Sequence, residues 1–466
     1  MTGADMDRLA ASFRDPSGFM FHRAGALYRQ VNQAYRADYD HLMTSGLYER
    51  LVEKGMLIPH REVEVEAPLP ALCYRVIQPE PVAFISYPYE WSFTQLQDAA
   101  LLTLALQREA LQFGMTLKDA SAYNIQFHEG RPVLIDTLSF ARYQEGQPWI
   151  GYRQFCQHFL APLALMSKVD LRLGRLSTLY IDGIPLDLTS ALLPWATRFN
   201  LGLFSHLHMH ARSEKLGAAS EARAQQARQV RVNRMGLLAL LDNLESTVRG
   251  LKPHLHRDFW ADYYANTNYT EATFALKKRL VADMVREVAP RLVWDLGANT
   301  GLFSRVAAEA SQALVIAADI DPEAVELNYL ELKKAPQPRI LPLVLDLTNP
   351  TPAIGWHNGE RESFFQRGPV DLVMALALIH HLAIGNNLPL EDIARSFAQA
   401  GRYLLIEFVP KEDSQVQKLL RSRDDIFDQY HLEGFKQAFA PYFTFLKEVP
   451  IEGSARTLFL LQSQVL

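Results

Sequence analysis

Asp295-Leu-Gly297-Ala-Asn299-Thr-Gly301 follows the apolar run Leu292-Val293-Trp294 and runs straight into Leu302-Phe303-Ser304. A strand that turns into a helix in this way needs glycines so that its backbone can approach a ligand lying across the strand ends. The spacing is not the G-x-G-x-x-G of dinucleotide folds, and an acid ahead of the glycines repels a pyrophosphate while it attracts a cation. A ligand carrying positive charge is therefore expected. About twenty residues on, a second apolar run ends in Asp319-Ile320-Asp321-Pro322, where an acid receives the two hydroxyls of a ribose. Asp319 fits that place, because Asp321 before Pro322 reads as the N-cap of the next helix. A third run ends at Leu345-Asp346-Leu347, and an acid there can accept from an adenine amino group.

The elements that must position these residues are legible from periodicity. The 466 residues are 48% hydrophobic and 21% charged, enough apolar material for two or three cores. A helix is expected near Ala275 to Val288, strands at Arg291 to Asp295, Ala313 to Asp319, Arg339 to Leu345, Val370 to Leu376 and Arg402 to Phe408, and helices from about Leu302 and through Pro322 to Lys333. Strands that are continuously apolar and alternate with helices predict a parallel sheet covered on both faces, a doubly wound α/β domain.

Taken in order, Asp295-x-Gly297-x-Asn299-x-Gly301, Asp319, Asp346 and the run from Asp371 to His380-His381-Leu382 resemble the motifs of class I S-adenosylmethionine-dependent methyltransferases, with a Rossmann-like sheet, over roughly Trp260 to the end. The resemblance implies that Gly297, Asn299 and Gly301 cradle the methionine part of S-adenosylmethionine, with Asp295 near its ammonium. It also implies that Asp319 holds the ribose and that Asp346 with Leu347 faces the adenine. Trp260 to Tyr269 looks like the aromatic segment that often closes over the donor in this family. Methyl transfer is an in-line displacement that asks mainly for alignment and exclusion of water. A base is needed only for a hydroxyl or a protonated amine, and the candidates are His380, His381 and Glu407. Ala375-Leu376-Ala377-Leu378 stands where nucleic-acid and glutamine amine methyltransferases carry Asn-Pro-Pro-Tyr or Asp-Pro-Pro-Tyr. The segment Ile406 to Asp413 is similar to bacterial methyltransferases, some linked to nodulation or glycan modification, which suggests a small-molecule or glycan-type acceptor.

In the N-terminal half, Asp119 is followed five positions later by Asn124, then by a predicted hairpin and an apolar strand ending in Asp136. The set resembles the catalytic loop of the aminoglycoside-phosphotransferase-like branch of the kinase fold, which implies an α+β domain with Asp119 as its catalytic acid and Asn124 and Asp136 as Mg²⁺ ligands. Pro81 to Glu90 reads as strand and hinge, and Phe93 to Phe113 as a long helix. Against active phosphotransfer, no glycine-rich loop precedes the motif, Arg29 stands where a phosphate-pairing lysine is expected, and Thr137-Leu138 replaces Phe-Gly. A degenerate recognition module is the favoured expectation, and Mg-ATP is the ligand of the alternative, a bifunctional kinase-methyltransferase. A second alternative is a scaffold that keeps the donor fold without catalysis.

The expected organisation is thus a kinase-like domain over residues 1–205, a helical, Arg-rich linker over 206–254 with Arg223, Arg228, Arg231 and Arg234, and a methyltransferase domain over 255–466. The net charge of −5 excludes a chain-wide basic footprint and counts against nucleic acid as partner. Cys73 and Cys156 are the only cysteines, which excludes a disulfide framework, a cysteine zinc cluster and, in the C-terminal half, a cysteine-nucleophile mechanism. The acidic N-terminus lacks a secretory pattern and no apolar run approaches the roughly 20 residues of a membrane span, so a cytoplasmic setting is expected. No residue pattern specifies an oligomer.

Overall fold

Gly18–Arg23 and Ala26–Asn32 pair as a hairpin across Ala24 and Gly25, whose φ of 51° and 77° is the backbone that a two-residue hairpin turn requires. The computed structural model describes residues 7–212, 231–253, 255, 270–421 and 424–466. Trp260 to Tyr269, Arg223 and Arg228 lie outside the described residues. The chain divides into two units, Met1–His254 with Ala353–Glu362, and Leu255–Pro352 with Ser363–Leu466.

In the first unit, β1 (Asp7–Arg8), β2 (Gly18–Arg23), β3 (Ala26–Asn32), β4 (His60–Glu62) and β5 (Cys73–Pro79) form an antiparallel sheet in the order β1-β2-β3-β5-β4. The strand expected over 81–90 is absent. Prolines at 79, 81 and 88 withhold the donors a ladder needs, so the strand ends at Pro79 and only a 3₁₀ turn, Pro88–Glu90, follows. The long helix does form, over Phe93–Gln112, opened by a capping box in which Ser92 Oγ accepts from the Gln95 N–H and Gln95 Oε1 from the Ser92 N–H. Short strands follow: β6 (Met115–Leu117) pairs with β9 (Phe140–Arg142), and β7 (Ile125–His128) with β8 (Arg131–Leu134) as the expected hairpin.

Helix Arg234–Gly250 belongs to the same unit. Its Leu237, Leu241, Leu244 and Val248 recur at helical spacing and are buried, and Gln97 Nε2 donates to the Val248 carbonyl at 2.7 Å. Arg108 pairs with Asp242 (2.9 Å) and Glu245 (3.1 Å). Residues 353–362 are held by a two-pronged pair from Arg14 to Glu360 (2.9 and 2.6 Å), by Arg361 over the Tyr123 ring, and by the Glu362 N–H on Tyr87 Oη.

The second unit is mixed α/β. Strands β10 (Leu292–Leu296), β11 (Leu314–Asp319), β12 (Ile340–Val344), β13 (Val370–Ala375), β14 (Gly401–Phe408), β15 (Phe443–Pro450) and β16 (Thr457–Ser463) form one sheet in the order β12-β11-β10-β13-β14-β16-β15. β10 to β14 are mutually parallel, and β16 runs antiparallel to both its neighbours. Side chains alternate between faces. Val293, Val315, Leu372 and Met374 pack in one core with Val281, Met284 and Val285 of helix Glu271–Val288, while Trp294, on the other face, packs at a tilt against Phe364, 4.2 Å between centroids. Among the described residues, no helix is long and apolar enough to cross a membrane.

Leu241, 1% exposed, is the centre of the apolar stripe on helix Arg234–Gly250. Leu241→Ala is expected to cost the first unit about 2–5 kcal/mol by urea unfolding, while an exposed change such as Met235→Ala, on the same helix, leaves the midpoint in place.

Candidate active site at the strand ends

Strand order reverses at β10, with β11 and β12 to one side and β13 and β14 to the other. A crevice outside the carboxyl ends of the strands is where open α/β sheets take ligands, and the residues singled out in the sequence of this unit lie at or just beyond the ends of β10, β11, β12, β13 and β14. The loop after β10 alternates into the left-handed region at Gly297 (φ 75°), Asn299 (φ 50°) and Gly301 (φ 77°). Only Gly301 is also sterically fixed, since a Cβ there would lie 2.3 Å from Asn328 Nδ2. Gly297 and Ala298 donate to the Ala318 carbonyl, and Gly301 caps helix Leu302–Ala310.

Asp319 clamps this loop. Its Oδ2 accepts from the Asn299 N–H at 2.7 Å and its Oδ1 from the Asp321 N–H at 2.9 Å. With about four lone-pair sites, the carboxylate keeps capacity for a further donor. Burial pushes its carboxyl above the ordinary range, and the backbone donors oppose that. Asp321 is the N-cap expected of it: its side chain accepts from the Glu323 N–H, and Pro322 opens helix Pro322–Lys334. Asp346 lies beyond the end of β12, with Oδ1 taking both the N–H and the hydroxyl of Thr348, and Leu347 beside it is half-buried.

Asp295 is 2% exposed, and among the described residues its carboxylate has one hydrogen bond, from Ser304 Oγ at 2.6 Å. A carboxylate has room for about four. Burial pushes its pKa up to about 6 and Asp319 adds to that, while Ser304 and Lys277 pull it down. Below it lies a buried ion network that the motifs did not show. Lys277 Nζ sits 2.6 Å from Glu407, Arg456 Nη1 reaches the other oxygen of Glu407 at 3.4 Å, and Arg456 Nε donates to Asp413 at 2.7 Å. Glu407 is fully buried between two cations. Both oxygens already face positive charge, which makes Glu407 their counter-ion and counts against its expected role as a base.

His380 and His381 follow β13 with ring centroids 4.2 Å apart. His380 is 2% exposed with Nδ1 unpartnered among the described residues, and burial with the nearby charges brings its pKa down to about 3, so it is neutral at physiological pH. His381 opens to solvent. A base works best with a pKa near the operating pH, which makes His380 the weaker of the pair for proton abstraction. Of the residues missed in the sequence, Lys277 had a signal, a lone cation on the buried face Thr273, Val281 and Val285 of its helix. Arg456 and Asp413 had none.

Residues Asp119, Asn124 and Asp136 also come together, in the first unit. Asn124 Nδ2 donates to Ser139 Oγ (3.2 Å), the Ser139 hydroxyl donates to Asp136 Oδ2 (2.8 Å), and burial followed by the Asp136 charge raises the Asp119 carboxyl.

An acid whose folded pKa exceeds its unfolded one takes up protons on folding, so ionised Asp295 costs stability that grows as pH climbs from about 4 to about 6 and is constant above. The cost is on the order of 3 kcal/mol. Asp295→Asn is therefore expected to melt higher than the native chain at pH 8, with the gap closing towards pH 4; an equal gap at both pH values would remove the assigned cause.

No protein-family model matches the chain. Among solved structures, N-methyltransferase NodS from Bradyrhizobium japonicum WM9 aligns with 41% of this chain and 97% of its own, at 10% identity and a TM-score of 0.31. The bifunctional kinase-methyltransferase WbdD aligns over 44% of this chain and 42% of its own, at 15% identity and a TM-score of 0.30. Likenesses of that size assign nothing by themselves. Nodulation protein NoeA of Rhizobium meliloti (strain 1021) is 36% identical over 460 residues, 98% of this chain and 96% of that protein. Agreement at that level along nearly the whole of both sequences makes this chain a member of the family of nodulation protein NoeA.

Proposed function

We propose that this chain is an S-adenosylmethionine-dependent methyltransferase that transfers a methyl group to a small-molecule or glycan-type acceptor, that it works in the cytoplasm, and that its kinase-like first unit recruits the acceptor. The observation that carries the reading is the loop Gly297–Gly301 held by Asp319 beside Asp295, a buried carboxylate with unused capacity for a cation. The donor set fits a ligand with one positive end and a pair of hydroxyls. The relative's name supports a role in nodulation for this chain.

In this reading S-adenosylmethionine, when bound, supplies an electrophilic methyl on a sulfonium. Asp295 holds the positive end, and the desolvated carboxylate attracts it more strongly than one in water does. Gly297, Asn299 and Gly301 bring backbone close to the donor, Asp319 accepts from its hydroxyls, and Asp346 with Leu347 faces the base. His381 takes the proton when the acceptor is a hydroxyl or an ammonium, and neutral His380 orients it. Alignment of nucleophile and methyl carries the rate.

Calorimetric titration with S-adenosylhomocysteine tests this. The native chain is expected to bind, Asp319→Ala to lose at least about tenfold in affinity, and binding to weaken as pH falls through about 6 and Asp295 takes a proton. Affinity unchanged in Asp319→Ala, or no binding at all, would overturn the site.

A further inference from the structure

The kinase-like set in the first unit implies Mg²⁺ and a nucleotide, and the side chains around Asp136 do not fit them. Arg29 Nη1 lies 2.5 Å from Asp136 Oδ1, and its Nη2 lies 3.3 Å from Asp15 Oδ2. The remaining capacity of Asp136 is largely used: Oδ1 also accepts from the Leu138 N–H at 2.9 Å, and Oδ2 from the Ser139 hydroxyl at 2.8 Å. The amide of Asn124 is turned to Ser139 as well, and Asp119 Oδ1 accepts from the Ser121 N–H at 3.0 Å. Lys118, next to Asp119, donates to Ser17 and lies over the Tyr35 ring.

Mg²⁺ asks for oxygens at about 2.0–2.1 Å in a near-octahedral shell, with one or two carboxylates free to turn towards it. Here a guanidinium that never deprotonates holds the carboxylate instead, and a second cation in hydrogen-bond range of Asp136 meets its charge at short distance. Arg29 cannot readily withdraw. It sits in the middle of β3, paired with Met20 on one side and Ile77 on the other, and is 8% exposed. Among the described residues, no group of three or more His, Cys, Asp or Glu is arranged to hold a metal ion.

We propose that Arg29 is the resident cation of this cluster, answering the Asp136 charge that a kinase gives to its metal, and that the first unit works without a divalent ion or nucleotide. With Arg29 in place, Asp136 and Asp15 are neutralised internally and the loop from Asp119 to Ser139 is set by protein groups alone. Without it, Asp15, Asp119 and Asp136 are left facing one another, and a divalent ion becomes the available counter-charge.

The test uses the full-length protein and Mn²⁺, followed by loss of its free-ion electron paramagnetic resonance signal, with and without ATP. The native chain is expected to show no Asp136-dependent Mn²⁺ or Mn-ATP uptake, so that native and Asp136→Asn titrations coincide. Arg29→Met is expected to gain Mn²⁺ affinity of at least about tenfold, Arg29→Lys to gain none, and Arg29→Met with Asp136→Asn to lose the gain. Native uptake that disappears in Asp136→Asn would overturn the proposal, as would a folded Arg29→Met chain with native Mn²⁺ affinity. Should Arg29→Met not fold, the native and Asp136→Asn pair decides: coincident titrations support the resident cation, and divergent ones refute it.

Discussion

A carboxylate taken out of water at the end of a central strand sets the terms for the second unit. Ionised Asp295 is costly where it sits, and a fold tolerates such a group only with compensation nearby or with a ligand that supplies it. Among the described residues the compensation is partial. Ser304 gives one hydrogen bond, and the nearest buried cation, Lys277, is committed to Glu407. Lys277 is itself drawn below the usual ammonium range by burial, against the pull of Glu407. Glu407 is shared with Arg456, and Arg456 with Asp413. Each charge in this series is held by the next one, and Asp295 stands at the end with the least.

That arrangement ties the neighbouring elements to one another. Lys277 comes from helix Glu271–Val288, Glu407 from β14 and Arg456 from the approach to β16, so the ion series crosses the unit beneath the strand ends. Breaking a buried pair by removing one partner is far costlier than never having built it, which fixes the helix and the antiparallel strand relative to β14. Asp319 holds Asn299 and Asp321 in place through their backbone N–H groups, and the left-handed residues between Gly297 and Gly301 are kept by hydrogen bonds to Ala318 and Asp319.

What the sequence made legible follows from range. The strand-to-helix turn, the acid closing β11, the N-cap role of Asp321 and the hairpin over 125–134 are local patterns, and local physics decides them. The run 81–90 was misread because its apolar residues spoke louder than its prolines. Glu407 is hard to read for a different reason. A glutamate at the end of an apolar strand looks like a poised base until its partners are known, and those partners lie 130 and 49 residues away in the chain. The same holds for Arg29, whose meeting with Asp136 depends on β3 lying between β2 and β5. Motif spacing can nominate a carboxylate; only the tertiary fold says whether its charge is already answered.

The two units answer that question in opposite ways, and the contrast bears on where chemistry is placed. In the first, Asp136 meets an arginine, a hydroxyl and a backbone amide, and Asp15 shares the same guanidinium. Charge there is closed on itself, which favours a fixed surface over a reactive centre. In the second, Asp295 has one hydrogen bond among the described residues and retains acceptor capacity behind it, and a stability deficit on the order of a few kcal/mol accompanies it. A deficit of that kind persists where a ligand repays it on binding, because a carboxylate kept dry interacts with an arriving cation far more strongly than a hydrated one does. The distribution of unanswered charge, more than any single motif, is what supports the proposed site at the strand ends of the second unit.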